Sequence, residues 1–128
     1  MVTSWAIKKR NKHSGGTVQE QVKDRQSKLS QPVHTMKIEK DVDIPMRDGT
    51  ILKADVFRPD APGTFPVLAN MGIYQKDKLW VPPHDLEEAP NPYMNWETVN
   101  PEWWVPRGYI CLRVDERGSG KTPGQLIA

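Results

Sequence analysis

The chain has 128 residues, which is enough for one small domain or for part of a larger one. Its mean hydropathy is low and it contains no apolar run of 18 residues, which argues against a membrane span. The formal net charge of +2 is uneven, because residues 1–35 alone carry seven basic and two acidic residues. A basic arm can contact nucleic acid or an anionic membrane, but this one lacks interleaved aromatic residues, and we expect neither partner.

The N-terminal segment, residues 1–35, is predicted to be a basic and mostly disordered leader to a domain that spans residues 36–128. The leader holds few apolar residues, as is typical of chains that cannot form a core. Val18, Val22 and Leu29 indicate one weak face of a short helix, too narrow to build a core on its own.

A cytoplasmic location is the default expectation. The N-terminus lacks the apolar segment of a secretory signal peptide. Cys111 is the single cysteine of the chain, so no disulfide can form within it.

Two strands around a turn are predicted for residues 36–59. The first alternates apolar and polar residues in part, and the second, residues 51–57, is rich in strand formers. The Asp48-Gly49 pair between them tolerates the positive φ of a tight hairpin. Pro59 ends the second strand, because proline cannot donate to a strand ladder.

A third strand and a long loop follow. The run "FPVLANMG", residues 65–72, has the length expected for a buried strand. Residues 72–92 show no periodicity and contain four prolines. A loop of this length inside a compact domain is uncommon and is often functional.

A short helix and a fourth strand complete the prediction. In "NWETVNPEWWVPRG", Asn95 is a plausible N-cap and Gly108 follows the end of the helix, while Pro101 and Pro106 limit its length. The run "YICLRVD", residues 109–115, predicts a strand. A hairpin followed by a strand–helix–strand unit indicates a mixed α/β sheet, with an antiparallel hairpin leading into parallel strands.

The stretch "DERGSGKTPG", residues 115–124 and hereafter the glycine turn, invites comparison with a phosphate-binding loop. Asp115 occupies the place of the first glycine of that motif, and its charge would repel phosphate. Pro123 disfavours the helix that the motif requires and also replaces the third glycine of a dinucleotide fingerprint. We therefore expect a tight turn with unusual backbone angles rather than a nucleotide site.

Three blocks taken together resemble a known family: "IPMRDGTILKADVFRP", "FPVLANMGIYQKD" and "WETVNPEWWVPRGYICLRVDERGSGKTPG". They resemble the N-terminal part of the α/β-hydrolase domain in cocaine-esterase-like proteins, which have an Xaa-Pro dipeptidyl-peptidase-like domain, and the fungal-type members in particular. The resemblance covers about residues 36–125. Its last block matches the family pattern Asp-x-Arg-Gly-x-Gly-x-Ser-x-Gly, with Thr122 where serine is usual.

This resemblance implies a serine hydrolase that cleaves acyl bonds in esters or in amides, including X-Pro peptides. It implies a small-molecule ester or peptide as substrate and no cofactor, and it leaves the oligomeric state open. In the family, a tyrosine hydroxyl from the loop after the third strand helps to form the oxyanion hole. The matching residue is Tyr74, although Ile73 stands where the family often has proline. From the residues alone, a half-buried packing role for Tyr74 is the better interpretation.

We expect no nucleophile, acid or base of a catalytic triad in this chain. None of its serines has Gly-x-Ser-x-Gly flanks, and Ser119 has Arg117 at the place of the first glycine. His84 is expected to be a loop residue, and no cluster has metal-ligand spacing. The chain is thus expected to be a truncated hydrolase that is inactive alone. The alternative is a non-catalytic binding module that uses the aromatic-rich region 74–104.

Three residues are expected to have structural roles near the fourth strand. The planar guanidinium of Arg117 can satisfy loop carbonyls and carboxylates where the chain leaves the strand, and Asp115 is expected to take part in the same turn. Cys111 is expected to be a small buried hydrophobic residue within the strand.

Overall fold

A computed structural model of the chain describes residues 17–81, 84–85 and 91–126. The part of the predicted leader that precedes Thr17 lies outside these residues. Helix α1 (Val18–Ser27) begins with a capping box, in which Thr17 and Glu20 exchange side-chain hydrogen bonds with each other's backbone amides. No residue of α1 is buried, so the short helix predicted from three apolar residues is present but packs no core.

Within the described residues, four strands form one mixed sheet in the order β1-β2-β4-β3. Strands β1 and β2 are antiparallel, β2 and β4 are antiparallel, and β3 and β4 are parallel. The predicted mixed sheet is therefore confirmed in its strand directions. Its strands are β1 (Met36–Pro45), β2 (Ile51–Pro59), β3 (Val67–Gly72) and β4 (Ile110–Asp115).

The first two strands form the predicted hairpin. Gly49 has a φ of 84°, and its amide donates to the carbonyl of Met46, as the Asp48-Gly49 pair indicated. A bulge interrupts the pairing of β1 with β2 between Glu39 and Val42. Asp41 lies in this bulge with a φ of 55°, and the Asp55 carboxylate of β2 accepts its amide hydrogen bond at 3.1 Å.

A short helical segment crosses one face of the sheet. It consists of helix α2 (Pro101–Trp104) and a 3₁₀ turn (Val105–Arg107), which ends at Gly108 with a φ of 86°. Asn100 caps the helix, so the prediction of Asn95 as N-cap is wrong. The physical reason is Pro101: at the first helical position its missing N–H costs nothing and its fixed φ favours the helix.

Apolar side chains pack on both faces of the sheet, because neighbouring strand residues point to opposite sides. Phe57, Val105 and Cys111 form a buried cluster beneath the helical segment. Leu52, Ala54 and Val114 form a second cluster on the opposite face. The buried position predicted for Cys111 is thus confirmed.

No helix among the described residues is long and apolar enough to pass through a bilayer. No group of three or more His, Cys, Asp or Glu side chains among them is arranged to hold a metal ion.

Candidate functional site

Tyr74 lies two residues beyond β3, at the edge of the sheet where the parallel strands β3 and β4 both end. In open α/β sheets, this carboxyl edge is the usual place for ligands. The Tyr74 side chain is exposed, and its ring centroid lies 6.4 Å from that of Trp96. Its hydroxyl makes no hydrogen bond in the described part of the chain.

The space beside Tyr74 is apolar and aromatic. Trp80 packs edge-to-face on Trp96 at 5.7 Å, and a surface cavity of about 390 Å³ opens next to the two rings. Ile73, Leu79 and Val81 line the same cavity, and all three are exposed. The cavity has room for an apolar portion of a ligand next to the Tyr74 phenol.

The glycine turn contacts the Tyr74 loop on both sides of Tyr74. The Ser119 hydroxyl donates to the carbonyl of Ile73 at 3.1 Å. One Asp115 carboxylate oxygen accepts from the backbone amide of Lys76 at 2.6 Å, and the other accepts from the amide of Lys121 at 2.9 Å. The turn predicted from its glycines is therefore also the support of the tyrosine loop, which the sequence pattern did not indicate.

The glycines of the turn allow this close approach. Gly118 and Gly120 both have positive φ, 70° and 54°, as the prediction of unusual backbone angles required. At Gly120 a Cβ atom would overlap the Asp115 carboxylate. The Thr122 hydroxyl donates to the Asp115 carbonyl at 2.8 Å and accepts from the amide of Lys53 at 2.9 Å, which joins the turn to β2.

Arg117 connects the glycine turn to the hairpin. Its guanidinium forms a salt bridge with Asp48 at 2.6 Å and donates to the Thr50 hydroxyl at 2.6 Å. This hydrogen bonding to Arg117 holds the pKa of Asp48 well below its ordinary value. The structural role predicted for Arg117 is confirmed, with a carboxylate and a hydroxyl as acceptors rather than loop carbonyls.

Beneath the Tyr74 loop lies a buried lysine that the sequence analysis missed. The Lys76 ammonium is fully buried and contacts three carboxylates, those of Asp41 at 2.5 Å, Asp55 at 3.0 Å and Asp77 at 3.0 Å. Burial by itself lowers the pKa of Lys76, but hydrogen bonds to the three carboxylates outweigh it and hold that pKa above its ordinary value. The lysine therefore stays charged.

Two more lysines complete this ion cluster. Lys40 pairs with Asp55 and Asp77, and Lys121 of the glycine turn pairs with Asp41 at 2.6 Å and with Asp77 at 3.2 Å. Burial raises the pKa of Asp77, but its hydrogen bonds to the lysines have the larger combined effect and lower it. The cluster ties the β1 bulge, β2, the Tyr74 loop and the glycine turn together through charge.

The backbone next to Tyr74 is strained. Gln75 has a φ of 60°, which a residue with a side chain rarely adopts. The Asn95 side-chain amide donates to the Gln75 carbonyl at 3.0 Å. Asn95, predicted as a helix cap, instead joins the loop before α2 to the Tyr74 loop.

The other candidates from the sequence have no catalytic arrangement within the described residues. His84 lies in an exposed turn. The buried Ser119 hydroxyl is engaged with a backbone carbonyl and faces no base. Burial raises the pKa of the Cys111 thiol to about 11, which suppresses its reactivity.

Comparisons with known proteins identify the family and the fold. Residues 48–128 match the model of the family described as X-Pro dipeptidyl-peptidase (S15 family). Cocaine esterase from Rhodococcus sp. (strain MB1 Bresler) is 31% identical over 86 residues, which are 66% of this chain and 12% of that protein. This chain thus spans about an eighth of that relative.

Solved structures show the same fold. A CocE/NonD family hydrolase from Staphylococcus aureus has a TM-score of 0.62 at 37% identity, over 72% of this chain and 17% of its own. An α-amino acid ester hydrolase, at 20% identity, has a TM-score of 0.52 over 77% of this chain and 15% of its own, and the likeness is one of fold. The expected α/β-hydrolase type of mixed sheet is therefore confirmed, while the fungal-type affiliation stays a prediction.

Proposed function

Because the chain belongs to the X-Pro dipeptidyl-peptidase (S15) family, we propose that it forms the oxyanion-hole part of a serine hydrolase that cleaves ester or X-Pro amide bonds. The observation that carries the proposal is the Tyr74 hydroxyl. It is free of hydrogen-bond partners in the described part of the chain and lies at the carboxyl edge of the parallel strands. An apolar cavity next to it provides room for an acyl group.

The chemistry of acyl transfer explains why such a hydroxyl matters. Attack on the carbonyl turns its oxygen into an oxyanion, and a donor already aimed at that oxygen stabilises the transition state more than the substrate. Loss of one such donor typically lowers kcat by about 100- to 1000-fold. A donor that must first reorient contributes less, so the order of the Tyr74 loop is part of its function.

We propose that the chain does not hydrolyse esters alone, because none of its serines lies in a nucleophile elbow. With p-nitrophenyl acetate, we expect the 128-residue chain to give the background rate. Turnover that Tyr74→Phe reduces would contradict this part of the proposal.

A chimera tests the role of Tyr74 directly. Residues 36–126 replace the matching segment of the S. aureus CocE/NonD hydrolase, and p-nitrophenyl acetate hydrolysis by the unsubstituted chimera sets the reference. Tyr74→Phe is expected to lower kcat by about 100-fold or more with little change in KM. Tyr109→Phe is the matched control, because Tyr109 packs on Trp104 away from the loop. An equal kcat for Tyr74→Phe and the reference would refute the proposal.

The exposed aromatic surface supports the alternative of a non-catalytic binding module that uses the region 74–104. Trp96 is 54% exposed and Val81 is 83% exposed, which is unusual for large apolar side chains. For a binding module, Trp96→Ala would weaken ligand binding while Tyr74→Phe would leave the kcat of the chimera unchanged.

We further propose a cytoplasmic location, a small ester or peptide as the partner, and neither nucleic acid nor a membrane. The lone, buried Cys111 supports a reducing compartment. The absence of interleaved aromatic residues from the basic residues of the leader supports the exclusion of nucleic acid.

A further inference from the structure

The glycine turn holds the backbone at two points that lie on either side of Tyr74. Ser119 binds the carbonyl of Ile73, just before the tyrosine, and Asp115 binds the amide of Lys76, two residues after it. We propose that Ser119 and Asp115, together called the Tyr74 clamp, are positioning residues that fix the direction of the Tyr74 hydroxyl. The chemical purpose of the clamp rests on the function proposed above, whereas its geometry stands independently.

The clamp bonds are shielded from water. Ser119 is 5% exposed and Asp115 is 1% exposed. A buried hydrogen bond that breaks leaves unsatisfied polar groups, which is costlier than the exchange of a surface bond for water. Any other arrangement of the loop that breaks these hydrogen bonds is therefore higher in free energy.

The clamp itself is rigid. Both carboxylate oxygens of Asp115 are occupied, and the Thr122 hydroxyl holds its carbonyl. Gly120 packs so tightly on that carboxylate that no side chain fits between them. The acceptor for the Lys76 amide is thus fixed before any ligand arrives.

Ring packing alone is too weak to orient Tyr74. In the described part of the chain, Trp96 is its one aromatic neighbour, at a centroid distance of 6.4 Å, and the tyrosine is 41% exposed. The backbone beside it would relax to another conformation without restraints, since the left-handed φ of Gln75 is unfavourable for a residue with a side chain. Such strain persists where the surroundings impose it, and the clamp and Asn95 supply these restraints.

An NMR experiment on the 128-residue chain tests the clamp. With ¹³C-labelled tyrosine, Ser119→Ala is expected to move the Tyr74 ring signal toward the position of a solvated tyrosine, while Tyr93 and Tyr109 serve as internal references. Hydrogen exchange of the Lys76 backbone amide with solvent is expected to become about tenfold faster. Ser119→Thr keeps the hydroxyl and is expected to restore both readouts.

Cys111→Ala is the matched control. It removes a buried side chain of β4 that packs with Phe57 and Val105 and contacts neither clamp residue. We expect it to leave the Tyr74 signal in place even where it lowers stability. The clamp is refuted by an unchanged Tyr74 signal in Ser119→Ala, or by an equal shift in Cys111→Ala.

The chimera separates this inference from the proposed function. Ser119→Ala is expected to lower kcat with KM within about twofold, and adding it to Tyr74→Phe is expected to have no further effect. If Tyr74→Phe leaves kcat unchanged, the proposed function fails while the NMR results still decide on the clamp. If Tyr74→Phe lowers kcat and Ser119→Ala does not, the clamp fails and the function stands.

Discussion

The carboxylate of Asp115 accepts a hydrogen bond of 2.6 Å from the backbone amide of Lys76, a residue 39 positions earlier in the chain. Asp115 ends β4, and Lys76 belongs to the loop that follows β3. Because the second oxygen binds the amide of Lys121, one buried side chain satisfies donors from two loops. Many effects of substitution in this region follow from that relationship.

Asp115→Ala is expected to be strongly destabilising, since it leaves the amides of Lys76 and Lys121 without a hydrogen-bond acceptor. Each buried unsatisfied donor costs about 1–3 kcal/mol, so we expect a loss of about 3 kcal/mol in the free energy of unfolding, measured by urea denaturation. Asp115→Asn keeps one acceptor oxygen and is expected to lose about half as much. A loss below about 1 kcal/mol for the alanine variant would show that both amides find other partners.

Gly120→Ala is expected to prevent formation of the glycine turn. Its φ of 54° strains any residue with a side chain, and the added Cβ would overlap the Asp115 carboxylate. We expect a loss of at least about 3 kcal/mol by urea denaturation, or loss of the soluble folded protein. Gly72→Ala is the control, because Gly72 has open space around it, and its effect is expected to stay within about 0.5 kcal/mol.

Lys76→Met tests the buried ion cluster. The substitution keeps much of the side-chain length but leaves Asp41, Asp55 and Asp77 without their central cation, which typically costs about 3–5 kcal/mol. Lys40→Met removes a cation that is 52% exposed and is expected to cost less than about 1 kcal/mol. Equal effects of the two substitutions in urea denaturation would contradict a special role for the buried lysine.

The same cluster predicts acid sensitivity. Hydrogen bonds to Lys121 and Lys76 lower the pKa of Asp41, and those to the lysines outweigh burial to lower the pKa of Asp77. A carboxylate with a lowered folded-state pKa stabilises the fold above its unfolded value of 3.8, and this stability is lost as pH falls through the folded-state pKa. The urea concentration at the unfolding midpoint is therefore expected to decrease once the pH drops below about 4.

Asp77→Asn provides the check on this acid transition. The amide cannot titrate, so the dependence of the urea midpoint on pH is expected to flatten in this variant. An identical dependence in the variant and the parent would assign the acid loss to other carboxylates.

The sequence predicted the strands well because their signals are local. Alternation and the Asp48-Gly49 pair specify a hairpin within about 25 residues. The predicted helix start at Asn95 is wrong because proline interrupts the interior of a helix, whereas at the first helical position it favours the helix. Local rules thus succeed for elements but depend on the exact position of a proline.

The site was less accessible to sequence reasoning. Tyr74 was identified through a family resemblance, and nothing in its neighbours indicated its supports. Ser119 and Ile73 are 46 residues apart, and no periodic pattern connects such partners. The burial of Lys76 depends on carboxylates from separate segments, including the β1 bulge, and lysine is ordinarily exposed.

The order of the strands predicts which part of the sheet opens first. Within the described residues β4 is bonded to neighbours on both sides, whereas the edge strands β1 and β3 each pair with one neighbour. Of these two, β3 is the shorter, with six residues against ten, and it exposes Val67 and Met71. Fraying should therefore begin at β3, the strand that leads to Tyr74. Asp115 at the end of β4 and Ser119 just after it hold the Tyr74 loop. The position of Tyr74 is therefore fixed by an interior strand, and the tyrosine can stay in place while the edge strand β3 opens locally.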